Sequence, residues 1–428
     1  MQNHEFNKKI NYIDLFAGAG GLSEGFIREG YYPIAHVEKN KDACLTITTR
    51  IAYHYLREQN LINEIYNPYL RNEINREELY SNIPQCLLNT VINQEITTES
   101  LRSIFSRIDT NLELLLDKKV DLIIGGPPCQ AYSIAGRVAI VNDKEKLNDP
   151  RRFLYRQYIK FLIKYEPKLF VFENVPGILS AKDTEGHLFI DKMKSEFKEA
   201  GYEIDYKTLD ATDYGVLQKR NRVFLIGWQE NIPFEYPEFD KEVSNEWNVS
   251  RDILDDLPIL NAGEIWEDFK YKTEPSEYLK KYHLRNGNDV LTLHRTRPNN
   301  SNDLEIYKLA VEKWYDENKR LLYRDLPEDY KTYRNLSQKG FQNRFCVVEG
   351  NMAYTHTMIA HIAQDGHYYI HPNKLNPRSI SVREAARIQA FPDNFYFEGS
   401  RTSIFTQIGN AVPPLVAQAI ARKIKEFL

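Results

Sequence analysis

One cysteine of this chain stands where a reactive thiol would be expected. The segment Gly125-Gly126-Pro127-Pro128-Cys129-Gln130 follows the apolar run 122–124, which predicts a buried strand. Glycines and prolines make the turn after that strand rigid and irregular. A thiol held on such a turn is oriented and unpaired, as a nucleophile requires. The alternative is that Cys129 is a small buried residue at a strand end, which is common for cysteine.

A carboxylate occupies a comparable position further along the chain. Glu173 follows the very apolar stretch Phe170-Val171-Phe172, which predicts a second buried strand. Ligands of open α/β sheets bind at the carboxyl ends of parallel strands, so we expect Glu173 at the same sheet edge as Cys129. Desolvation there should raise the pKa of Glu173 and make it a proton donor near neutral pH. The alternative is a glutamate in an N-cap or an ion pair.

Two arginines precede a third predicted strand, at 223–227. They belong to the segment Gln218-Lys219-Arg220-Asn221-Arg222. In an extended segment, Arg220 and Arg222 point to the same side. Two guanidinium groups aimed one way could clamp a carbonyl, a carboxylate or a phosphate. The alternative is a solvated basic stretch.

A glycine turn near the start of the chain predicts a nucleoside site. Gly18, Gly20 and Gly21 follow the predicted strand 12–16 and precede a predicted helix at 22–29, so the backbone can approach a ligand at the helix N-terminus. Glu38 ends the next predicted strand, where an acid can accept both hydroxyls of a ribose. The spacing lacks the third glycine of a dinucleotide motif. We therefore expect an adenosine-type cofactor without a pyrophosphate; the alternative is a tight turn beside a surface glutamate.

The elements that position these residues alternate between strand and helix as far as about residue 230. Further strands are predicted at 33–38, 169–172 and 204–209, and a helix is predicted at 151–165. This βαβ order predicts an α/β fold with a doubly wound, mostly parallel sheet. Residues 51–119 are interpreted as helices with an insertion.

Beyond residue 230 the periodicity weakens. Residues 231–375 predict a second, smaller irregular domain, with a helix at 304–314 and a strand, turn and strand at 359–370. Regular patterning returns with Ser381, which together with Glu384 predicts a capping box for a helix at 382–390. A turn is expected at Gly409-Asn410. The last helix has an apolar stripe that should dock onto the first domain, formed by Val416, Ile420, Ile424 and Phe427.

Composition sets wider limits. The chain has 428 residues, 42% hydrophobic and 27% charged, which is typical of globular proteins. It has no apolar run long enough for a membrane span and no N-terminal signal sequence, so we expect no membrane partner. Its four scattered cysteines indicate a reducing compartment and no metal site. A net charge of −4 does not favour nucleic-acid binding, although the basic residues could lie on one face.

Six motifs in succession give the chain a family resemblance: it resembles the cytosine-5 DNA methyltransferases of bacterial restriction–modification systems. The six matching stretches span nearly the whole chain and are 14–21, 126–130, 173–175, 218–222, 378–393 and 407–414.

This resemblance implies a catalytic set. Cys129 would add to carbon 6 of a flipped-out cytosine, and Glu173 would hydrogen-bond ring nitrogen 3 and the exocyclic amine. Arg222 would hold the base carbonyl, and Arg220 would support that network.

The resemblance also implies S-adenosyl-L-methionine as the cofactor and no metal. Six residues would line its pocket: Phe16, Gly18, Gly20, Glu38, Pro127 and Asn410. The acid that reaches the adenine amine would be Glu95, where the family usually has aspartate, or alternatively Asp109.

The implied organisation has three parts. Residues 1–230 would form the cofactor-binding catalytic domain, 231–375 the target-recognition domain that reads DNA, and 376–428 a return segment that completes the first. His294, Arg295 and Arg297 in the middle part would suit phosphate and base-edge contacts.

The implied substrate is a specific double-stranded DNA sequence, methylated in the cytoplasm of a prokaryote at the nucleoid. A cognate restriction endonuclease would be a functional partner. Two alternatives remain open at this point: a tRNA cytosine-5 methyltransferase of the same family, and an inactive DNA-binding homologue.

Overall fold

The fold is built on one seven-stranded sheet. The computed structural model describes residues 9–115, 118–128, 153–183, 185–242, 246–331 and 342–428. Its strands are β1 (Ile10–Leu15), β2 (Tyr31–Glu38), β3 (Val91–Asn93), β4 (Leu122–Gly125), β5 (Leu169–Asn174), β6 (Tyr202–Asp210) and β7 (Asn221–Gln229). Their order is β3-β2-β1-β4-β5-β7-β6. Strands β1 to β5 pair in parallel, and β7 runs antiparallel to both β5 and β6.

Helices cover both faces of this sheet. The α-helices of the described ranges are α1 (Gly21–Arg28), α2 (Lys41–Glu58), α3 (Asn67–Leu70), α4 (Arg76–Ser81), α5 (Gln85–Leu88), α6 (Leu101–Glu113), α7 (Leu154–Tyr165), α8 (Phe189–Glu199), α9 (Glu277–Lys281), α10 (Ser301–Glu317), α11 (Val382–Ile388), α12 (Arg401–Asn410) and α13 (Pro414–Ile424). Alternate residues of β1 enter different cores: Tyr12 packs with α1 and α13, and Ile13 packs on the face covered by α6, α7 and α8. The predicted doubly wound, mostly parallel α/β sheet is confirmed.

The last helix docks as its apolar stripe predicts. Val416, Ile420 and Ile424 are buried in the same core as α1. A Cβ on Gly25 of α1 would lie 2.4 Å from the Cβ of Ala417, so the two helices approach each other closely only because this residue is glycine. The last helix therefore packs against α1 on one face of the sheet.

Residues of the middle part share that core. Val249, Ile253, Tyr278 and Met358 are buried in the cluster that also contains Tyr12. A smaller core forms around α10, where Tyr307 and Val311 pack against Phe345 and neighbouring apolar residues. The boundaries at 231 and 375 stay a prediction, since this packing alone does not divide the chain.

Buried charges join the middle part to α11. Ser381 and Glu384 form the predicted capping box, and the helix ends at Ile388. Arg387 is fully buried and contacts Asp393 at 2.6 Å, and it also pairs with Asp256 of the middle part. Because each charge has an ionic partner, burying this network avoids the large cost of an unpaired charge.

Two local predictions are wrong. Residues 359–370 do not form a strand hairpin: Ala360–Ala363 is a 3₁₀ turn that packs on α12, and only the turn at Gly366 (φ 78°) matches the expectation. Gly409 and Asn410 are the last residues of α12 instead of a turn. Gly409 is needed for packing, since a Cβ there would lie 2.4 Å from the amide nitrogen of Ala360.

Candidate active site

Three chain segments meet at one edge of the sheet. β4 and β5 end there, at Gly125 and Asn174. Because β7 is antiparallel, it begins at the same edge, and Asn174 pairs with Val223. This pairing brings Arg222 to the end of the strand that carries Glu173.

Glu173 and Arg222 form a contact at this edge. The Arg222 Nε lies 2.9 Å from the Glu173 Oε1, and the two side chains are 14% and 13% exposed. Burial raises the pKa of the Glu173 carboxyl, although the charges of Arg222 and Arg220 oppose that effect. The predicted direction of the pKa shift is therefore confirmed. A carboxyl group in this environment holds a proton more readily than an exposed glutamate and can donate it.

The turn after β4 lies directly against this carboxyl group. A Cβ on Gly126 would lie only 2.6 Å from the Glu173 Oε2, so a residue with a side chain would displace the carboxylate. The carbonyl oxygen of Pro127 accepts a long hydrogen bond from the Asn174 Nδ2 at 3.5 Å. The start of the cysteine-bearing segment is therefore fixed beside Glu173.

Cys129 itself lies outside the described residues, so its role stays a prediction. None of the three described cysteines is a candidate nucleophile at this edge: two are buried, and the third lies at the start of α5. Burial raises the pKa of Cys44 to about 12 and that of Cys346 to about 11, and both keep their protons at neutral pH. Cys86 is exposed, next to Gln85 at the start of α5.

Arg220 has a different environment from Arg222. It is 1% exposed and donates to the carbonyl oxygens of Met358 at 2.5 Å, Gly409 at 3.2 Å and Ala411 at 3.0 Å. The expectation that both guanidinium groups clamp one ligand is wrong, because these carbonyl groups draw the Arg220 side chain into the protein. Arg220 instead fixes the chain before β7 against residue 358 and the end of α12.

The glycine turn and Glu38 lie together at the ends of β1 and β2. The Glu38 Oε2 accepts a hydrogen bond from the amide of Gly18 at 2.9 Å, and Oε1 accepts one from the amide of Asn40 at 2.7 Å. A Cβ on Gly18 would have no neighbour within 4 Å, so the turn leaves open space beside the carboxylate. Gly20 has a left-handed φ of 81° at the start of α1. This edge can hold a ribose, which needs a carboxylate and room.

Phe16 and Asn410 border the same turn. Phe16 has a φ of 56°, a left-handed conformation that bulky residues rarely adopt and that is typical of functional sites. Asn410 is exposed at the end of α12, immediately before Ala411 and Val412. A Cβ on Gly21 would lie 2.4 Å from the carbonyl oxygen of Val412, so the end of α12 packs onto the glycine turn.

The two candidate acids for the adenine amine differ in position. Glu95 follows β3 by two residues, at the carboxyl edge, and its exposed side chain pairs with Lys39 at 2.9 Å. Asp109 lies in α6, where it contacts Lys164 at 3.0 Å and the Tyr165 hydroxyl at 3.1 Å, near the end of α7. Only Glu95 follows a strand at the edge that carries Glu38, and the geometry favours it.

Asp14 is a further candidate site residue that the sequence alone did not single out. It is 1% exposed, and neither carboxylate oxygen has a hydrogen-bond partner within the described part of the chain. Burial, together with the nearby Glu38 charge, raises the pKa of Asp14 well above its usual range. The sequence does carry a sign of this: Asp14 interrupts the apolar strand Tyr12-Ile13-Asp14-Leu15, and burying an acid without a partner costs free energy, which indicates a functional role.

Two residues expected to contact DNA have structural partners within the protein. His294 is buried and bonds the Ser381 Oγ at 2.9 Å and the Pro258 carbonyl oxygen at 2.7 Å. Arg297 donates to the carbonyl oxygens of Ile362 at 2.8 Å and Ala363 at 3.2 Å, at the end of the 3₁₀ turn. The interpretation of His294 as a DNA contact is wrong, because the side chain is not accessible.

Two further features concern ligands and membranes. Asp183, Glu185 and His187 form a group of possible metal ligands after β5, and only Glu185 and His187 are exposed. The Asp183 carboxylate already accepts hydrogen bonds from backbone amides of that loop. None of the helices in the described ranges is sufficiently long and apolar to span a membrane.

Comparison with known proteins identifies the family of this chain. Residues 10–426 match the family described as C-5 cytosine-specific DNA methylase. The chain is 40% identical to the type II methyltransferase M.Bpa9945I of Bacillus paralicheniformis, over 97% of this chain and 98% of that protein. It is 31% identical to the type II methyltransferase M.DdeI of Desulfomicrobium norvegicum, over 98% and 89% of the two chains.

The fold is also known from solved structures. A prophage protein of E. coli assigned as a DNA modification methyltransferase has a TM-score of 0.63 and 24% identity, over 98% of this chain and 99% of the other. The S. pombe Dnmt2 methyltransferase has a TM-score of 0.53 and 14% identity, over 98% and 99% of the two chains. At these identities the likeness shows the fold alone. The match over residues 10–426 shows more: the chain belongs to the C-5 cytosine-specific DNA methylase family.

Proposed function

We propose that this member of the family methylates carbon 5 of a cytosine flipped out of a specific double-stranded DNA sequence, through a covalent bond to Cys129. One observation carries the proposal: the largely buried Glu173 carboxyl contacts Arg222 at 2.9 Å, directly beside Gly126 at the start of the cysteine-bearing segment. A proton donor and a guanidinium group at this spacing can hold the ring nitrogen and the carbonyl oxygen of one pyrimidine.

The roles of these residues follow from the chemistry of cytosine. Carbon 5 is a poor nucleophile until a thiolate bonds to carbon 6, which moves the electron pair of the double bond to carbon 5. Glu173 would donate to ring nitrogen 3 as the ring gains negative charge, and Arg222 would hold the carbonyl oxygen. Methyl transfer to carbon 5 would leave S-adenosylhomocysteine. Carbon 5 would then lose its proton to water, ring nitrogen 3 would return its proton to Glu173, the double bond would re-form and Cys129 would leave as a thiolate.

The donor would be S-adenosyl-L-methionine, which when bound supplies an electrophilic methyl group. The residues at the ends of β1 and β2 fit it. Glu38 has open space beside it for a ribose, and near Glu38 the buried carboxyl group of Asp14 has no hydrogen-bond partner among the described residues. Phe16, Gly18, Gly20, Pro127 and Asn410 would complete the pocket, with Glu95 at the adenine amine.

The biological setting is part of the proposal. Duplex DNA hides the target atoms, so the enzyme must extrude the base at a cost of a few kcal/mol. The type II names of the relatives support a cognate restriction endonuclease as a functional partner. Both would act on the nucleoid in the cytoplasm of a prokaryote.

The first experiment finds the substrate. The protein is expressed in a host free of cytosine methylation, and 5-methylcytosine is mapped across the genome. We expect one short sequence to be methylated. The purified enzyme is then offered duplex DNA with that sequence and, in parallel, bulk tRNA; methyl transfer to tRNA alone would contradict the proposal.

The second experiment tests the nucleophile. Cys129→Ser should abolish transfer, whereas Cys86→Ser, the matched change of an exposed cysteine, should keep it. A duplex with 5-fluorocytosine at the target should trap a covalent adduct on Cys129, because the fluorine cannot leave as the proton does. Near-normal turnover of Cys129→Ser, or an adduct on another residue, would refute the mechanism.

A further inference from the structure

Three arginines lie together without a carboxylate partner. Arg295 and Arg297 are in the middle part, and Arg401 is the first residue of α12. We call these three residues the arginine cluster. Each is partly exposed, and none of them is within 4.0 Å of a carboxylate among the described ion pairs. The charge of Asp365 acts on Arg297, but Asp365 already pairs with Arg344 at 2.9 Å.

Donors of the cluster remain unused. The buried Nε atoms of Arg295 and Arg401 have no hydrogen-bond partner in the part of the chain that the structure describes. Arg401 uses one other nitrogen to reach the carbonyl oxygen of Thr296 at 3.2 Å. A guanidinium group has five donors. The buried Nε atoms are closed to an external ligand, but both side chains are partly exposed, and the terminal nitrogens of Arg295 make no hydrogen bond among the described residues, so those nitrogens are available.

The proximity of the three charges is itself unfavourable. Burial lowers the pKa values of Arg295 and Arg297, and the charge of Arg401 lowers them further. A protein rarely places partly buried like charges together unless a counter-charge reaches them. An anion from outside the chain would remove this repulsion.

The start of α12 adds to the positive potential. Ser400 caps the helix through the amide of Ser403, and the remaining first-turn amides and the helix dipole favour an anion. An arginine in the first turn opposes that dipole, so Arg401 makes the helix less stable than an acidic residue would. An arginine at this position is explained if its side chain binds an anionic ligand.

Helix α12 links the cluster to the catalytic edge, because Arg220 binds the carbonyl oxygens of Gly409 and Ala411 at the far end of that helix. From Arg401 to Asn410 the helix rises about 14 Å, at about 1.5 Å per residue. The segment 359–363 packs alongside: Ile359 and Ala360 touch Gly409, and Arg297 binds the carbonyl oxygens of Ile362 and Ala363. About 14 Å corresponds to about four base-pair steps of a duplex at about 3.4 Å each.

We propose that the arginine cluster binds a backbone phosphate of the DNA duplex, a few base pairs from the extruded cytosine. This inference rests on the proposed function, since it needs duplex DNA at the catalytic edge. The contact would position the duplex without reading its sequence, as phosphate contacts do. Arg295 and Arg401 carry the available donors, and Arg297 holds the 3₁₀ turn while adding charge.

The test uses the salt dependence of DNA binding. Affinity for a duplex containing the mapped site is measured by fluorescence anisotropy between 50 and 300 mM salt for the full-length protein. The variants are Arg295→Gln, Arg401→Gln and the double variant. Arg422→Gln is the matched control, because Arg422 is an exposed arginine paired with Glu29, at the end of α1 remote from the catalytic edge.

A lost phosphate contact should reduce the slope of log affinity against log salt by about 0.9. We expect this change and about a tenfold loss of affinity in the double variant, with a wild-type slope in Arg422→Gln. If the cluster had a structural role, the double variant would melt at a lower temperature than the wild type in the absence of DNA. We expect its melting temperature to stay unchanged or rise. A wild-type slope in the double variant would overturn the inference.

A second measurement locates the phosphate. Neutral methylphosphonate linkages are placed one at a time within about six nucleotides of the target cytosine. One linkage should weaken binding of the wild type and have little effect on the double variant; equal effects on both proteins at every position would contradict the proposal. If the wild-type protein fails to bind or methylate any duplex, the proposed function fails instead, and the two results are distinguishable.

Discussion

Replacing Gly126 with alanine should damage catalysis through one displaced carboxylate. The added Cβ would lie 2.6 Å from the Glu173 Oε2, and ordinary contact begins at 3.4 Å, so the carboxylate must retreat by about 0.8 Å. It cannot retreat freely, because Arg222 holds its other oxygen at 2.9 Å. A misplacement of about 1 Å at a reacting centre costs about 100-fold in rate, and we expect a loss of that size in kcat/KM.

The stability of this variant should change little. The atom that the methyl group meets is the far end of a flexible side chain, so we expect the free energy of unfolding to fall by about 1 kcal/mol. The affinity for S-adenosylmethionine should stay unchanged. Gly287→Ala is the matched control, because a Cβ there has no neighbour within 4 Å and its φ is not left-handed.

The assay is radiolabelled methyl transfer to the mapped duplex, and a double-mutant cycle gives the decisive result. If the damage passes through Glu173, Gly126→Ala should cost much less than 100-fold in a Glu173→Gln background, because the misplaced group is already missing. Fully additive losses would refute this reasoning, since sites that do not interact have additive effects. They would place the damage in the cysteine-bearing segment instead.

Four further changes test other parts of the site. Glu173→Gln should lower kcat by about 10²- to 10⁴-fold in the same assay. The raised pKa of Glu173 also contributes to the stability of the wild type: this contribution is complete below the unfolded pKa of about 4.3 and is lost as pH rises through the folded pKa. Urea unfolding at several pH values should show this pH-dependent contribution in the wild type and not in Glu173→Gln. Arg220→Gln should lower the free energy of unfolding by about 3 kcal/mol, because a buried guanidinium group loses its carbonyl contacts; urea unfolding checks this. Glu38→Gln should raise the Kd for S-adenosylmethionine by about tenfold in calorimetry, since the variant loses a charged acceptor worth about 1.4 kcal/mol. Ser381→Ala should cost about 1 kcal/mol of stability through the lost cap, with an unchanged Kd for the same ligand.

Much of the sheet could be predicted because its strands are long and apolar. β5 and β7 are buried on both faces, and such runs stand out in the sequence. β3 was missed because it has only three residues, Val91–Asn93, and so carries no periodic pattern. The direction of β7 has no local signal either, since it depends on the path of the chain through β6.

In the site, too, residues placed by their own strand could be predicted, whereas residues placed by partners far away in the sequence could not. Glu173 could be identified because its own strand carries it to the sheet edge. The role of Arg220 could not, because its partners are carbonyl groups of residues 358, 409 and 411, far away in the sequence. His294 has a residue type that suits a DNA contact, but it is buried and hydrogen-bonded to Ser381, a contact that only the tertiary fold creates.

The antiparallel pairing of β5 with β7 fixes the spacing of the two active-site side chains. Pairing of Asn174 with Val223 sets the distance from the acid to the guanidinium group, whatever apolar residues fill the strands. Side chains alternate along a strand, so deleting a single residue within 223–227 would turn Arg222 toward the opposite face. Core substitutions in β7 can therefore accumulate while the active geometry persists, whereas a change in strand length by one residue would disable the enzyme at once.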